Sequence, residues 1–252
     1  MNADASGKHY SYSVYADRAT AESFDRRRFG GPIGELVAAT QAHVLADFVG
    51  RVQGRAILDA GTGTGRAALL LAAGGARVTG VDASEEMLKI ARGRAADQGA
   101  TVRFLAGDVH RLEFPDRSFD VAVALRVLMH SPKWQLCIAE LCRVADQLVI
   151  LDFPSRYSTA LVQSVARRLL YAFGVNTEPY QVFSEADVEK ALERCGFRVR
   201  SVHRQFVLPI ALHKAFGSRR FTTASEGFLD RLGLLKRLGS PVTLVAERCV
   251  VS

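Results

Sequence analysis

The chain has 252 residues, 48% of them hydrophobic, which is enough to bury the core of one α/β domain with insertions. No apolar run is as long as a membrane span, and Met1-Asn2-Ala3-Asp4 lacks the basic and apolar regions of a signal peptide, so a cytoplasmic protein is expected. The net charge of +7 rests mostly on arginine, clustered at Arg26-Arg27-Arg28, Arg167-Arg168 and Arg219-Arg220; without interleaved aromatics these clusters do not make a nucleic-acid groove, and a solvated surface is the simpler reading.

The first fifty residues read as a helical cap ahead of the main domain at 51–252. Tyr10, Tyr12, Tyr15 and Phe24 give this segment aromatic anchors. Leu36, Val37, Val44, Leu45 and Phe48 fall near helical period, so Gly34 to Val49 should be a helix leading into the first strand. Ile57 and Leu58 form a buried strand that runs into Asp59-Ala60-Gly61-Thr62-Gly63-Thr64-Gly65 and then into a helix from Ala67 to Ala73. Glycines at such a turn let bare backbone approach a ligand, and the helix start aims N–H groups at it. The next strand, Ala76 to Val81, ends in Asp82, placed where a carboxylate can accept from both hydroxyls of a ribose. Ser84 caps a helix with Glu85 and Glu86 in its first turn, and a third strand, Thr101 to Ala106, leads to Asp108.

The glycines by themselves admit two nucleoside ligands, since Gly63-x-Gly65-x-x-Ala68 is an acceptable dinucleotide fingerprint. The fuller pattern, Asp59 to Gly65, then Val81-Asp82-Ala83-Ser84, then Ala106-Gly107-Asp108-Val109, resembles the class I S-adenosylmethionine-dependent methyltransferases, in the branch with quinone-biosynthesis and related small-molecule enzymes. That resemblance implies a Rossmann-like, doubly wound α/β fold: seven strands, mostly parallel, with an antiparallel last strand, plus the N-terminal cap and lid insertions. It implies S-adenosyl-L-methionine as cofactor, held by Asp59, Gly61, Thr62, Gly63, Gly65, Asp82, Ala83, Asp108, Val109 and Leu125. Asp108 would accept from the adenine amino group, with Ala83 and Val109 against the base. An N-terminal tyrosine would fold over the methionine end of the ligand.

Phe119 to Leu125 is a continuously apolar fourth strand, as for a strand covered on both faces. After it, Arg126 to Pro132 resembles the family's loop between cofactor and acceptor. His130 in this loop is the leading catalytic candidate, a neutral imidazole able to take an acceptor's proton. A helix follows from Lys133 to Val144. Gln147 to Asp152 is the fifth strand, and Asp152 at its exit is the second candidate for an acceptor contact. Ser158 to Gly174 has helical spacing and forms a first lid at about 155–180; Ser184-Glu185-Ala186-Asp187 starts another helix. Phe197 to Leu208 and Pro241 to Val250 are the sixth and seventh strands, a pair that closes the sheet with an antiparallel edge. Between them 211–239, rich in Phe, Leu and Arg, is longer than a hairpin needs. It reads as an acceptor wall, an amphipathic surface that visits membrane lipid, or a dimer contact. Cys137, Cys142, Cys195 and Cys249 contain no C-x-x-C pair and read as reduced thiols, with no metal site.

The function expected is methyl transfer by in-line displacement to a small-molecule acceptor, apolar or lipid-, quinone- or phenol-like. A nicotinamide-dependent oxidoreductase is the alternative, although no Tyr/Lys pair stands near the fourth strand; a non-catalytic cofactor-binding module is the third reading. The oligomeric state does not follow from the sequence.

Overall fold

The computed structural model describes residues 25, 28–172 and 180–249. Tyr10, Tyr12, Tyr15, Phe24, Arg26 and Arg27 of the expected cap, and Phe173 to Pro179 of the first lid, lie outside these residues. The described part is one seven-stranded sheet in the order β3-β2-β1-β4-β5-β7-β6. Its strands are β1 (Ala56–Ala60), β2 (Arg77–Asp82), β3 (Val102–Ala106), β4 (Phe119–Ala124), β5 (Ala145–Phe153), β6 (Phe197–Phe206) and β7 (Ser240–Arg248).

The central strands alternate their side chains between two helical layers. Ile57, Val121, Val123 and Val245 point to one face, where α1 (Gly31–Val49) brings Val44, Leu45 and Phe48, α2 (Arg66–Ala73) brings Leu69, and α3 (Glu85–Asp97) brings Leu88 and Ala91. Leu58, Ala122, Ala124 and Leu151 point to the other, against Ile138 and Leu141 of α4 (Trp134–Val144) and Val188 and Leu192 of α6 (Glu185–Arg194). Strands buried on both faces need no polar alternation, which explains the unbroken apolar run of β4. α1 begins with a proline in its first turn, where a missing N–H costs nothing, and it covers the sheet directly. α3 is capped as its sequence predicts, Ser84 Oγ accepting from the Met87 N–H at 3.2 Å.

The sixth and seventh strands close the sheet with an antiparallel edge, as expected: β7 inserts between β5 and β6, antiparallel to both, and leaves β6 outermost. β5 runs one residue further than expected, through Phe153, so Asp152 sits inside the strand, 4% exposed, rather than at its exit. The first lid contains α5 (Thr159–Ala172), and the 211–239 insertion folds into α7 (Ile210–Phe216), α8 (Arg219–Arg231) and α9 (Leu235–Leu238). α7 and α8 lean on α1, tied there by Arg219, which reaches Glu35 at 2.6 Å and the Pro32 carbonyl at 3.1 Å. No helix among the described residues is long and apolar enough to cross a membrane.

Candidate cofactor and acceptor site

β1 has β2 on one side and β4 on the other, so the strand order reverses there and a crevice opens beyond the carboxyl ends of these strands. The turn after β1 forms its floor. Gly61 has φ +73° and its N–H donates to the Val81 carbonyl at 2.7 Å; a Cβ there would stand 2.3 Å from Val127 Cγ2. Gly63, at φ +54°, has open space where a Cβ would be. Backbone at this point can therefore touch a ligand directly.

Two carboxylates shape the turn. Asp59, 2% exposed, accepts from Thr62 Oγ1 at 2.6 Å and from the Ala68 N–H at 3.1 Å, joining the end of β1 to the first turn of α2. Burial pushes its pKa up to about 6, against the pull of these two donors. Asp82 takes the Gly63 N–H on Oδ2 at 2.7 Å and the Ser84 N–H on Oδ1 at 2.9 Å, so it both faces the cleft and fixes the glycine turn. Burial raises its pKa as well, opposed by those backbone donors.

Of the residues expected at the cofactor, Asp59, Gly61, Thr62, Gly63, Asp82, Ala83, Val109 and Leu125 line the crevice, as does His130. Gly65 and Asp108 do not. Gly65 lies beneath the turn as the N-cap of α2, where a Cβ would come within 3.0 Å of Ala91 and 3.2 Å of Phe104, so its smallness serves helix packing. Asp108 turns its Oδ1 to His110, bonding both the backbone N–H at 2.9 Å and the ring Nδ1 at 2.7 Å. The His110 ring continues to Ser131 Oγ at 2.7 Å and lines the crevice in Asp108's place. His110 follows Asp108 by two residues, the reach of a carboxylate that bonds its own turn, and that spacing is the signal by which it could have been found.

Arg66 was also missed. It opens α2, lines the crevice, stacks its guanidinium 3.8 Å over the Phe29 ring, and keeps Nε buried without a partner among the described residues. A buried cationic donor left open in a crevice fits an anionic group on a ligand.

The wall beyond is the loop after β4. Arg126 adopts φ +66°, a left-handed conformation that costs a side-chain-bearing residue about 1 kcal/mol or more. Its N–H donates to Asp152 Oδ1, which holds the turn in place. Arg126 and His130 line a second cavity too, walled by Phe153, Pro154, Tyr180, Leu208, Pro209 and Ile210, with Asp152 at its base. Burial raises the pKa of Asp152, opposed first by the Arg126 charge. Tyr180 is fixed by its hydroxyl on the Ala160 carbonyl at 3.1 Å and by Ser164 Oγ on its own carbonyl at 2.7 Å.

Comparison with known proteins identifies the family of the chain. Residues 57–147 match the family model of the methyltransferase domain. A demethylmenaquinone methyltransferase of Tropheryma whipplei (strain Twist) is 30% identical over 227 residues, covering 83% of this chain and 93% of the relative. One from Thermus thermophilus is 42% identical over 103 residues, 39% of this chain and 47% of the relative. The structure of magnesium protoporphyrin IX methyltransferase from Synechocystis PCC 6803 with bound S-adenosylhomocysteine superposes with a TM-score of 0.65 at 25% identity, covering 94% of this chain and 99% of that one. These likenesses decide between the two nucleoside readings in favour of the methyl donor: the cofactor is S-adenosyl-L-methionine, and the chain belongs to the class I S-adenosylmethionine-dependent methyltransferases.

Proposed function

We propose that the enzyme methylates a small, largely apolar ring acceptor of the quinone, phenol or lipid type, bound in the cavity behind Arg126 and His130. The observation that carries this reading is that these two side chains line both the crevice beside the glycine turn and the cavity next to it, where Phe153, Tyr180, Leu208 and Ile210 stand beside Arg28 and Arg167. A donor on one side and an acceptor on the other would meet at that boundary. The relatives support the acceptor class, since one is named for demethylmenaquinone and a structural neighbour for magnesium protoporphyrin IX.

S-adenosylmethionine, when bound, brings a methyl group already activated by its sulfonium. What the chain adds is position and dryness, and holding two reactants in line can by itself lower a barrier by about 7–11 kcal/mol. In this reading Asp82 uses the lone pairs left by its two backbone donors for the ribose hydroxyls, and Gly61 and Gly63 let the donor lie on bare backbone. Arg66 meets the donor's carboxylate. Ala83, Val109 and Leu125 cover the base, while Asp108 serves the adenine end through the ring of His110 that it fixes. His130 takes the proton of an acceptor hydroxyl, and Asp152 holds the turn that presents Arg126 to the acceptor. The enzyme would work in the cytoplasm, in keeping with four cysteines that are all unpaired thiols.

Calorimetric titration with S-adenosylhomocysteine, followed by methyl-transfer assays on quinols, phenols and sterols, tests this. Asp82→Ala is expected to weaken cofactor binding at least about tenfold, the worth of a charged hydrogen bond. An unchanged dissociation constant would remove the ribose role, and transfer confined to polar amines would remove the acceptor class.

A further inference from the structure

α8 is built inside out. Its two buried residues are polar, Thr222 and Glu226, whereas Phe228 is 59% exposed and Leu232, one turn further on, 59% as well. A surface helix ordinarily turns its apolar stripe inward. Here the inward face is occupied by a closed polar network. Glu226 accepts from the Val207 and Leu208 N–H groups at 2.8 and 3.0 Å and meets His213 Nε2 at 2.8 Å; His213 Nδ1 lies 3.1 Å from Thr222 Oγ1. That network, with the Arg219 tie to α1, holds the helix without the apolar residues on its exposed side.

Those outer residues form one stripe. Phe228 and Leu232 are one turn apart, and the half-buried Phe221, its ring 6.1 Å from that of His213, lies two turns before Phe228 on the same side of the helix. Phe216, 60% exposed at the end of α7, extends the stripe by stacking on Phe221 with 4.4 Å between ring centroids. Arg220, Arg231, Lys236 and Arg237 are exposed on the same two helices, α8 and α9, against one exposed carboxylate on α7–α9, Asp230.

We propose that this face of α7–α9 docks on an anionic lipid bilayer, with the aromatic stripe entering the headgroup boundary and the four basic side chains meeting lipid phosphates. Aromatic and leucine side chains flanked by arginine and lysine are the composition that binds such an interface. A second copy of the chain fits poorly, because a twofold contact through this face would bring the basic side chains of both copies together. The inference deepens the acceptor reading and rests on it for its purpose: Leu208, Pro209 and Ile210, which wall the acceptor cavity, run straight into α7. An acceptor dissolved in the bilayer would then enter from the face on which the enzyme rests.

The experiment is co-sedimentation of the full chain with vesicles of phosphatidylcholine, with and without a third of phosphatidylglycerol, at low and raised salt. The chain is expected to pellet with the anionic vesicles, to do so far less with neutral ones, and to be released by salt. The double variant Phe228→Ser/Leu232→Ser, and separately Arg231→Glu/Arg237→Glu, should each weaken pelleting at least about tenfold. Both pairs lie outside the site, so S-adenosylhomocysteine binding and thermal unfolding should match the parent; if the serine pair unfolds, the glutamate pair carries the test. No pelleting, or pelleting that neither pair changes, overturns the proposal. So does a dimer in sedimentation velocity that the serine pair converts to monomer without vesicle binding, which would assign the face to a second copy. Quinol methylation in detergent is measured alongside: its persistence without pelleting would discard only the docking face, and pelleting without quinol methylation only the acceptor class.

Discussion

Two turns stand side by side at the carboxyl edge of the sheet, after β1 and after β4, and both bend the chain through left-handed backbone. The first does so with glycine, at φ +73° in Gly61 and +54° in Gly63. The second does so with an arginine, at φ +66° in Arg126. Each hangs from a buried carboxylate: Asp59 under the glycine turn, through Thr62 and Ala68, and Asp152 under the arginine turn, through the Arg126 N–H. The glycine turn relaxes into its shape because the residue permits it. The arginine turn is held in its shape by a neighbouring strand, and what it gains is a guanidinium at the boundary between the two cavities. Floor and gate of the site thus reach the same geometry by opposite routes, one local and one tertiary.

If the glycine turn depends on absent side chains, the largest effect should come from adding one. Gly61→Ala places a Cβ 2.3 Å from Val127 Cγ2, on a stiff β-branched side chain, in a left-handed backbone. A loss of about 3 kcal/mol is expected from clash and strain together, read by urea unfolding. Cofactor affinity should fall with it, since Val127 lines the same crevice. Stability within experimental error of the parent would show that the turn is not bound by this close approach.

The carboxylate under that turn gives a second effect, visible as pH dependence. Asp59 titrates near 6 in the folded protein against 3.8 unfolded, so between those values the folded state binds more protons. Stability should therefore fall as pH rises from 3.8 to about 6 and level off above, by roughly 2–3 kcal/mol in all. Asp59→Asn keeps an amide oxygen to accept from Thr62 and Ala68 and should flatten that part of the curve. A slope that survives the substitution would place the titrating group elsewhere.

The same contrast explains what could be read from the sequence. A glycine turn announces itself, because residues 61, 63 and 65 at that spacing after an apolar strand have few other uses; β1 to β5 and the helices between them follow from local apolar pattern. Nothing local marks Arg126 as left-handed, since the partner that holds it lies twenty-six residues away on β5. Asp152 was legible as the end of the fifth strand but not as a residue inside it: β5 runs on through Phe153, and the antiparallel pairing with β7 sets Asp152 opposite Thr243. The place of β7 between β5 and β6 is equally non-local. In the 211–239 insertion the wealth of Phe, Leu and Arg was legible, but neither its helices nor the inward face of α8: Glu226 faces inward because the Val207 and Leu208 N–H groups at the end of β6 need an acceptor.

Cutting the tertiary support of the arginine turn should cost less than crowding the glycine turn. Asp152→Ala leaves the Arg126 N–H without its carboxylate and the left-handed backbone without a tether, for a loss of about 2 kcal/mol in urea unfolding. Asp152→Asn, which still offers an oxygen, should recover most of it. A parent-like stability for the alanine variant would mean that the turn holds itself and that the two turns differ less than their partners imply.

The smallest effect on stability, and the sharpest test of why the turns differ, is Arg126→Gly. Glycine relieves the strain at φ +66° but gives the unfolded chain more freedom, and the two should nearly cancel, leaving a change within about 0.5 kcal/mol. If the conformation were the whole point, a glycine at this position would serve as well as it does in the neighbouring turn, and methyl transfer would be unaffected. The guanidinium, however, lines both cavities and donates to Met129 Sδ at 3.2 Å beside His130. Its removal is therefore expected to lower kcat/KM at least about tenfold, the worth of one well-placed charged contact, while S-adenosylhomocysteine binding changes far less. Equal losses in both would move Arg126 to the cofactor side of the boundary, and no loss in either would reduce the second turn to a strained copy of the first.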